Sequence, residues 1–136
     1  MIGLGLEIVD VSAFRGQLDD PTAALPLTAF STAEQAEVGV TEPSSARRLA
    51  ARGAAKLAFL KALSASNPDA EHLLGSPDLS EVEIANDASG KPSLRVWGEV
   101  ARVATGCLGS DWIALVSLTH EGNTAAAVVV LERRQI

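Results

Sequence analysis

Residues 1–9, MIGLGLEIV, alternate with a period of two. Ile2, Leu4, Leu6 and Ile8 fall on one face of a strand, Gly3 and Gly5 on the other, where a neighbouring backbone has room to approach closely. A short helix is predicted over 10–18, broken by Asp19-Asp20-Pro21. Ser31-Thr32-Ala33-Glu34 reads as a capping box, a hydroxyl three residues before a carboxylate, and opens a helix to about Val38. The loop Thr41-Glu42-Pro43-Ser44-Ser45 supplies the next cap. Residues 46–65, rich in Ala, Leu, Lys and Arg, then form the strongest helix in the chain. The polar stretch 67–80, with Pro68, Gly75 and Pro77, reads as a loop. A strand over 81–85, a turn over 86–90 and a return over 91–97 make one hairpin. A helix over 99–104 follows. A second hairpin comprises 111–119 and 124–132 and turns at Glu121-Gly122-Asn123. The sum is a single α+β domain over residues 1–136, a mostly antiparallel sheet with helices packed on it.

Composition narrows what such a domain does. Apolar residues make up 47% of the 136, enough for a real core, and the net charge is −6. An acidic chain lacks the cations that neutralise phosphates in non-specific nucleic-acid binding, so no nucleic-acid partner is expected. The lone cysteine, Cys107, excludes an internal disulfide and a multi-cysteine zinc site, and two histidines argue against a histidine-rich metal site. The longest purely apolar run, 125–131, is seven residues, far short of a bilayer, and the apolar N-terminus has no basic flank. A cytoplasmic protein with no membrane partner is therefore expected.

The residues that carry chemistry are individually unspecific. On the long helix Arg48, Arg52 and Lys56 recur at i, i+4 and i+8 as a cationic stripe, which on spacing alone reads as a solvated face. The adjoining stripe is Gly53, Leu57 and Lys61. A glycine inside a helix costs about 1 kcal/mol against alanine, so Gly53 requires close packing or room for a ligand. His120 ends the strand with Ser117 and Thr119; a lone histidine there is commonly a hydrogen-bonded structural residue. Glu7, in an apolar strand, is either an exit to solvent or a site residue. Lys91 reads as a surface lysine beside a turn, and Cys107 as a small core residue.

Their order is more specific than any of them. Met1-Ile2-Gly3-Leu4-Gly5-Leu6-Glu7-Ile8-Val9 is similar to the opening strand of the holo-acyl-carrier-protein synthases, the short branch of the 4′-phosphopantetheinyl transferase superfamily. Residues 49–63 resemble the family's helix, Asn86-Asp87-Ala88-Ser89-Gly90-Lys91-Pro92 its N-x-x-G-K-P hairpin, and Val116-Ser117-Leu118-Thr119-His120 the strand that follows. The resemblance spans almost the whole chain. It implies the 4′-phosphopantetheinyl transferase-like fold, a trimer with sites at subunit interfaces, and an acyl carrier protein as partner.

It also implies transfer of the phosphopantetheine arm of coenzyme A to a carrier-protein serine, with a divalent cation on the pyrophosphate held by a strand Asp and a helix Glu. Arg52, Lys56, Lys61, Lys91, Pro92, Thr119 and His120 match positions that line the coenzyme A site. The metal positions differ: Glu7 stands for the Asp and Leu57 for the Glu, and Gly53 replaces an aromatic. Basic positions of the first helix read Ser12 and Ala13, with Arg15 near. Leucine supplies no ligand. The expectation is therefore a divergent member that binds carrier-protein or phosphopantetheine-linked acyl substrates without efficient magnesium-dependent transfer. Glu7, His120 and Lys61 are its acid/base candidates, and an enlarged cleft runs from Arg52 and Lys56 to Gly53 and Leu57. The alternatives are an active holo-acyl-carrier-protein synthase and a non-catalytic carrier-protein-binding pseudoenzyme.

Overall fold

Backbone pairing joins the first strand of the chain to the last. In the computed structural model, which describes residues 2–38 and 43–134, β1 (Gly3–Asp10) pairs antiparallel with β5 (Thr124–Arg133). β5 pairs in turn with β4 (Trp112–Glu121), giving a three-stranded antiparallel sheet ordered β1-β5-β4. β2 (Val82–Asn86) and β3 (Pro92–Val96) form a separate two-stranded hairpin. The helices are α1 (Val11–Gln17), α2 (Thr32–Val38), α3 (Pro43–Ser66), α4 (Ala70–Leu74) and α5 (Gly98–Leu108).

α3 lies across the sheet, and small residues allow it. Ala50, Ala51, Ala54, Ala55, Ala58 and Ala62 are buried on it, so flanking backbones reach its axis. The glycine face of β1 meets it. A Cβ on Gly5 would fall 1.9 Å from the carbonyl oxygen of Ala58, and one on Gly3 2.3 Å from that of Ala62. The close backbone approach expected from Gly3 and Gly5 is present. The apolar face of the same strand turns the other way: Leu4, Leu6 and Ile8 are more than half exposed or close to it.

Most of the expected elements are present, with shifted ends. Asp10 caps α1 by accepting from Ala13 N at 2.9 Å. α3 begins at Pro43, earlier than its alanine-rich stretch, in keeping with proline's fit to a first helical position. The loop expected over 41–45 falls partly outside the described residues. The stretch 67–80 is not all loop: α4 forms there, anchored by fully buried Ala70 and ended by Gly75 at φ +59°. Five residues are too few for a helical period to show.

Candidate functional site

The capping box at the start of α2 is real and does more than cap. Glu34 N donates to Ser31 Oγ at 3.1 Å, and Ser31 N donates back to Glu34 Oε1 at 2.9 Å. The same carboxylate accepts from Lys56 Nζ at 2.7 Å and, through Oε2, from Ile84 N at 3.1 Å. Lys56 also donates to the carbonyls of Leu79 (2.9 Å) and Val82, and its ammonium lies 5.3 Å from the centroid of the Phe30 ring. Burial pushes this ammonium below its ordinary 10.5, while Glu34 opposes the shift.

The stripe expected to be solvated is therefore mostly interior. Lys56 is fully buried with its donors all engaged, so the expectation that it lines a coenzyme site is corrected: it clamps α2 and β2 to α3. Arg52, 5% exposed, splits its guanidinium. Nη1 donates to Ile84 O at 3.1 Å and Nη2 to Glu37 Oε1 at 3.0 Å. That pairing holds the Glu37 carboxyl below its ordinary 4.5. Sequence reasoning missed both acidic partners of the stripe. Their i, i+3 spacing on α2 was the available signal.

Arg52 opens onto a cleft of about 370 Å³ at the junction of α3, the β2–β3 turn and the end of β4. Arg48, Asn86, Pro92, Thr119 and His120 line it. Arg48 is exposed and donates to Val38 O at 3.0 Å. The turn beside the cleft is shaped by Asp87, whose Oδ1 accepts from Ser89 Oγ (2.6 Å), Ser89 N (2.9 Å) and Lys91 N (2.9 Å). These bonds, that of the Ser89 hydroxyl foremost, lower the Asp87 carboxyl. Lys91 stands exposed on the adjoining turn. The chain thus gathers Arg52, Pro92, Thr119 and His120 in one place, with Arg48 and Asn86 added.

Glu7 lies elsewhere. It lines a second cleft, of about 420 Å³, with Leu57, Leu60, Lys61, Ser64, Glu71 and Leu74. Lys61 Nζ pairs with Glu7 Oε2 at 3.0 Å and donates to Leu6 O at 3.2 Å. The expectation that Glu7 and His120 flank one cleft is corrected for the single protomer: β5 separates their strands, and they line different cavities. The enlarged space expected at Gly53 is also corrected. A Cβ there would meet Leu25 Cδ1 at 2.7 Å and Phe30 Cζ at 3.2 Å, so neighbouring side chains fill it. Leu57 does line the second cleft.

The residues present do not fit a magnesium ion. Among the described residues no group of three or more His, Cys, Asp or Glu is placed to hold a metal. At the expected position the single carboxylate of Glu7 is already bound by an ammonium, and Leu57 offers only carbon.

Comparison with known proteins is extensive at both levels. No family model matches the chain. It is 38% identical over 132 residues to a holo-[acyl-carrier-protein] synthase of Mycobacterium ulcerans, covering 97% of each chain, and 36% identical to that of Mycobacterium tuberculosis over the same share. Its fold superposes with a TM-score of 0.79 on the coenzyme A complex of the Chronobacterium ammoniagenes enzyme (28% identity, 98% of both chains). The Mycobacterium tuberculosis acyl carrier protein synthase gives 0.71 at 34% identity. Fold and sequence together define a 4′-phosphopantetheinyl transferase-like protein. Within that class the chain belongs to the holo-acyl-carrier-protein synthase family. No helix among the described residues is long and apolar enough to cross a membrane.

Proposed function

We propose that this chain binds coenzyme A and transfers its 4′-phosphopantetheine arm to the serine of an apo acyl carrier protein. The observation that carries the reading is the arginine-lined cleft. Arg48 and Arg52 meet Asn86, Thr119 and His120 there; Glu37 pairs with Arg52 at the same cleft, so Arg48 is the cation most open to phosphate oxygens. The named relatives, 36–38% identical over nearly the whole chain, support it. In the reaction the serine oxygen bonds to the phosphorus bearing the pantetheine arm, and that phosphorus loses its bridging oxygen to the departing 3′,5′-ADP. The serine proton passes to a base, for which Glu7 and His120 are the candidates, with Lys61 beside Glu7 for the phosphates.

A homotrimer fits this reading. The outer face of the sheet stacks Leu4 beside Val130 and Leu115, Leu6 beside Val128 and Ser117, and Ile8 beside Ala126 and Thr119. Such an exposed apolar face favours self-association. A site at the seam between copies would unite the Glu7 cleft of one protomer with the His120 cleft of another. Leu57 favours a second reading, a protein that holds coenzyme A or a carrier-bound arm without transferring it.

Calorimetric titration with coenzyme A and with 3′,5′-ADP tests the cleft. Both ligands bind the parent, and Arg48→Ala weakens both by about tenfold, the loss expected for one charge-assisted phosphate contact. Equal affinities in parent and variant would remove Arg48 from the coenzyme site.

A further inference from the structure

We propose that coenzyme A is bound here without a divalent cation, and that the exposed Lys61 ammonium, paired with Glu7, meets its phosphates where such an ion would. The inference rests on the coenzyme A reading above and deepens it.

Three observations meet at one cleft. First, Glu7 is committed: its Oε2 holds the Lys61 ammonium at 3.0 Å. A divalent ion would have to displace that ammonium or sit beside it against like-charge repulsion. Second, Lys61 is positioned rather than loose. Of the three donors of its ammonium one is given to Leu6 O at 3.2 Å, and the Glu7 carboxylate lies 3.0 Å away as an ion pair. The side chain stays 57% exposed, so the ammonium can also meet an anionic oxygen arriving from solvent. Third, the remaining wall is wrong for a hard cation. Leu57 is one helical turn before Lys61, and Leu57, Leu60 and Leu74 line the cleft with aliphatic carbon. Magnesium demands near-octahedral oxygen ligation, and an apolar wall supplies none. Two further carboxylates stand near, Glu71 of α4 in this cleft and Asp10, which shares an adjoining cavity with Glu7 and Leu57 and is engaged in capping α1; among the described residues no three such groups are placed to hold a metal. The pair is neutral overall, but its exposed ammonium can still meet an anion and needs no loading. Leu57 and Lys61 line one cleft: the leucine offers no second ligand, and the lysine is the cation that remains there.

The experiment has two arms. In the first, Mn²⁺ is titrated into the protein alone and into protein with coenzyme A, and free Mn²⁺ is read by electron paramagnetic resonance. In the second, coenzyme A is titrated calorimetrically in EDTA and in magnesium chloride. The parent is expected to hold no Mn²⁺ below millimolar concentration, and its two coenzyme A affinities to agree within about twofold. Lys61→Gln weakens coenzyme A in EDTA by about tenfold. Leu57→Glu tightens Mn²⁺ at least about tenfold over the Leu57→Gln control, folding of both being checked by circular dichroism. Micromolar Mn²⁺ binding by the parent, or coenzyme A binding that magnesium tightens at least about tenfold, overturns the proposal. Loss of either in Glu71→Gln would identify Glu71 as the overlooked ligand. Failure of coenzyme A to bind in either buffer overturns the coenzyme A reading and this proposal with it. The Mn²⁺ arm separates that result from a metal-dependent site, because it reads the protein alone.

Discussion

Lys56 sits where four parts of the chain converge, its ammonium shared among Glu34 and two carbonyls under the Phe30 ring. A buried charge without its partner is costly, so Glu34→Ala is expected to destabilise the fold by about 3–5 kcal/mol in urea unfolding. Replacing both members, Lys56→Met with Glu34→Leu, should recover much of that loss. A single mutant within about 1 kcal/mol of the parent would show that the pair is not closed in solution. Glu37 offers a pH test at the same scale. Its carboxyl is lowered by the Arg52 hydrogen bond, so its contribution is fully present above the ordinary 4.5 and is lost as pH falls through the lower folded value. Glu37→Gln should flatten the acid-side fall in stability below pH 4.5; an unchanged slope would place Arg52 elsewhere. The i, i+3 spacing of Glu34 and Glu37 hinted at a shared acidic face, but not at its partners. Arg48, Arg52 and Lys56 form a stripe that looks solvated, and only the packing of α2 and β2 supplies the partners that permit burial. The capping box was legible because it is local.

Among the elements, β1 and α3 set the spacing of the whole structure. Gly5→Ala must push Ala58 O away from 1.9 Å, and the helix backbone has nowhere to yield. A loss of about 1–3 kcal/mol is expected from overpacking. Gly16→Ala is the control, since nothing lies within 4 Å of its added methyl and α1 gains a better helix former. It should stabilise by up to about 1 kcal/mol. If both changes have the same sign, the close crossing is not as described. The period-two pattern of β1 and its glycines were enough to anticipate this contact. α4 was not anticipated, because five residues between Pro68 and Pro77 carry no measurable period. The cleft expected beside Gly53 failed for a reason local sequence does not reveal: Leu25 and Phe30 come from a distant loop and fill it.

At the scale of the molecule, an apolar sheet face points outward. Leu4, Leu6, Ile8 and Leu115 are 50%, 58%, 63% and 51% exposed, a pattern that a solitary domain seldom keeps. Self-association through this face would cover it, and Leu6→Glu should leave the fold intact while reducing the light-scattering mass from that of a trimer to that of a protomer. A parent that runs as a monomer at all concentrations would contradict the assembly. The order of the family-like segments made the fold legible from sequence. The division of candidate residues between two clefts of one protomer was not, because their separation depends on β5 lying between β1 and β4.

Transfer of the phosphopantetheine arm at a site whose cation is Lys61 is read most simply from the intact mass of an apo acyl carrier protein incubated with this protein and coenzyme A, with EDTA and with magnesium in parallel. The predicted result is a gain of one phosphopantetheine group in both, at comparable rates and with release of 3′,5′-ADP. A carrier protein of unchanged mass in both conditions, with a carrier protein known to be competent, would contradict transfer; gain only with magnesium would contradict the role given to Lys61.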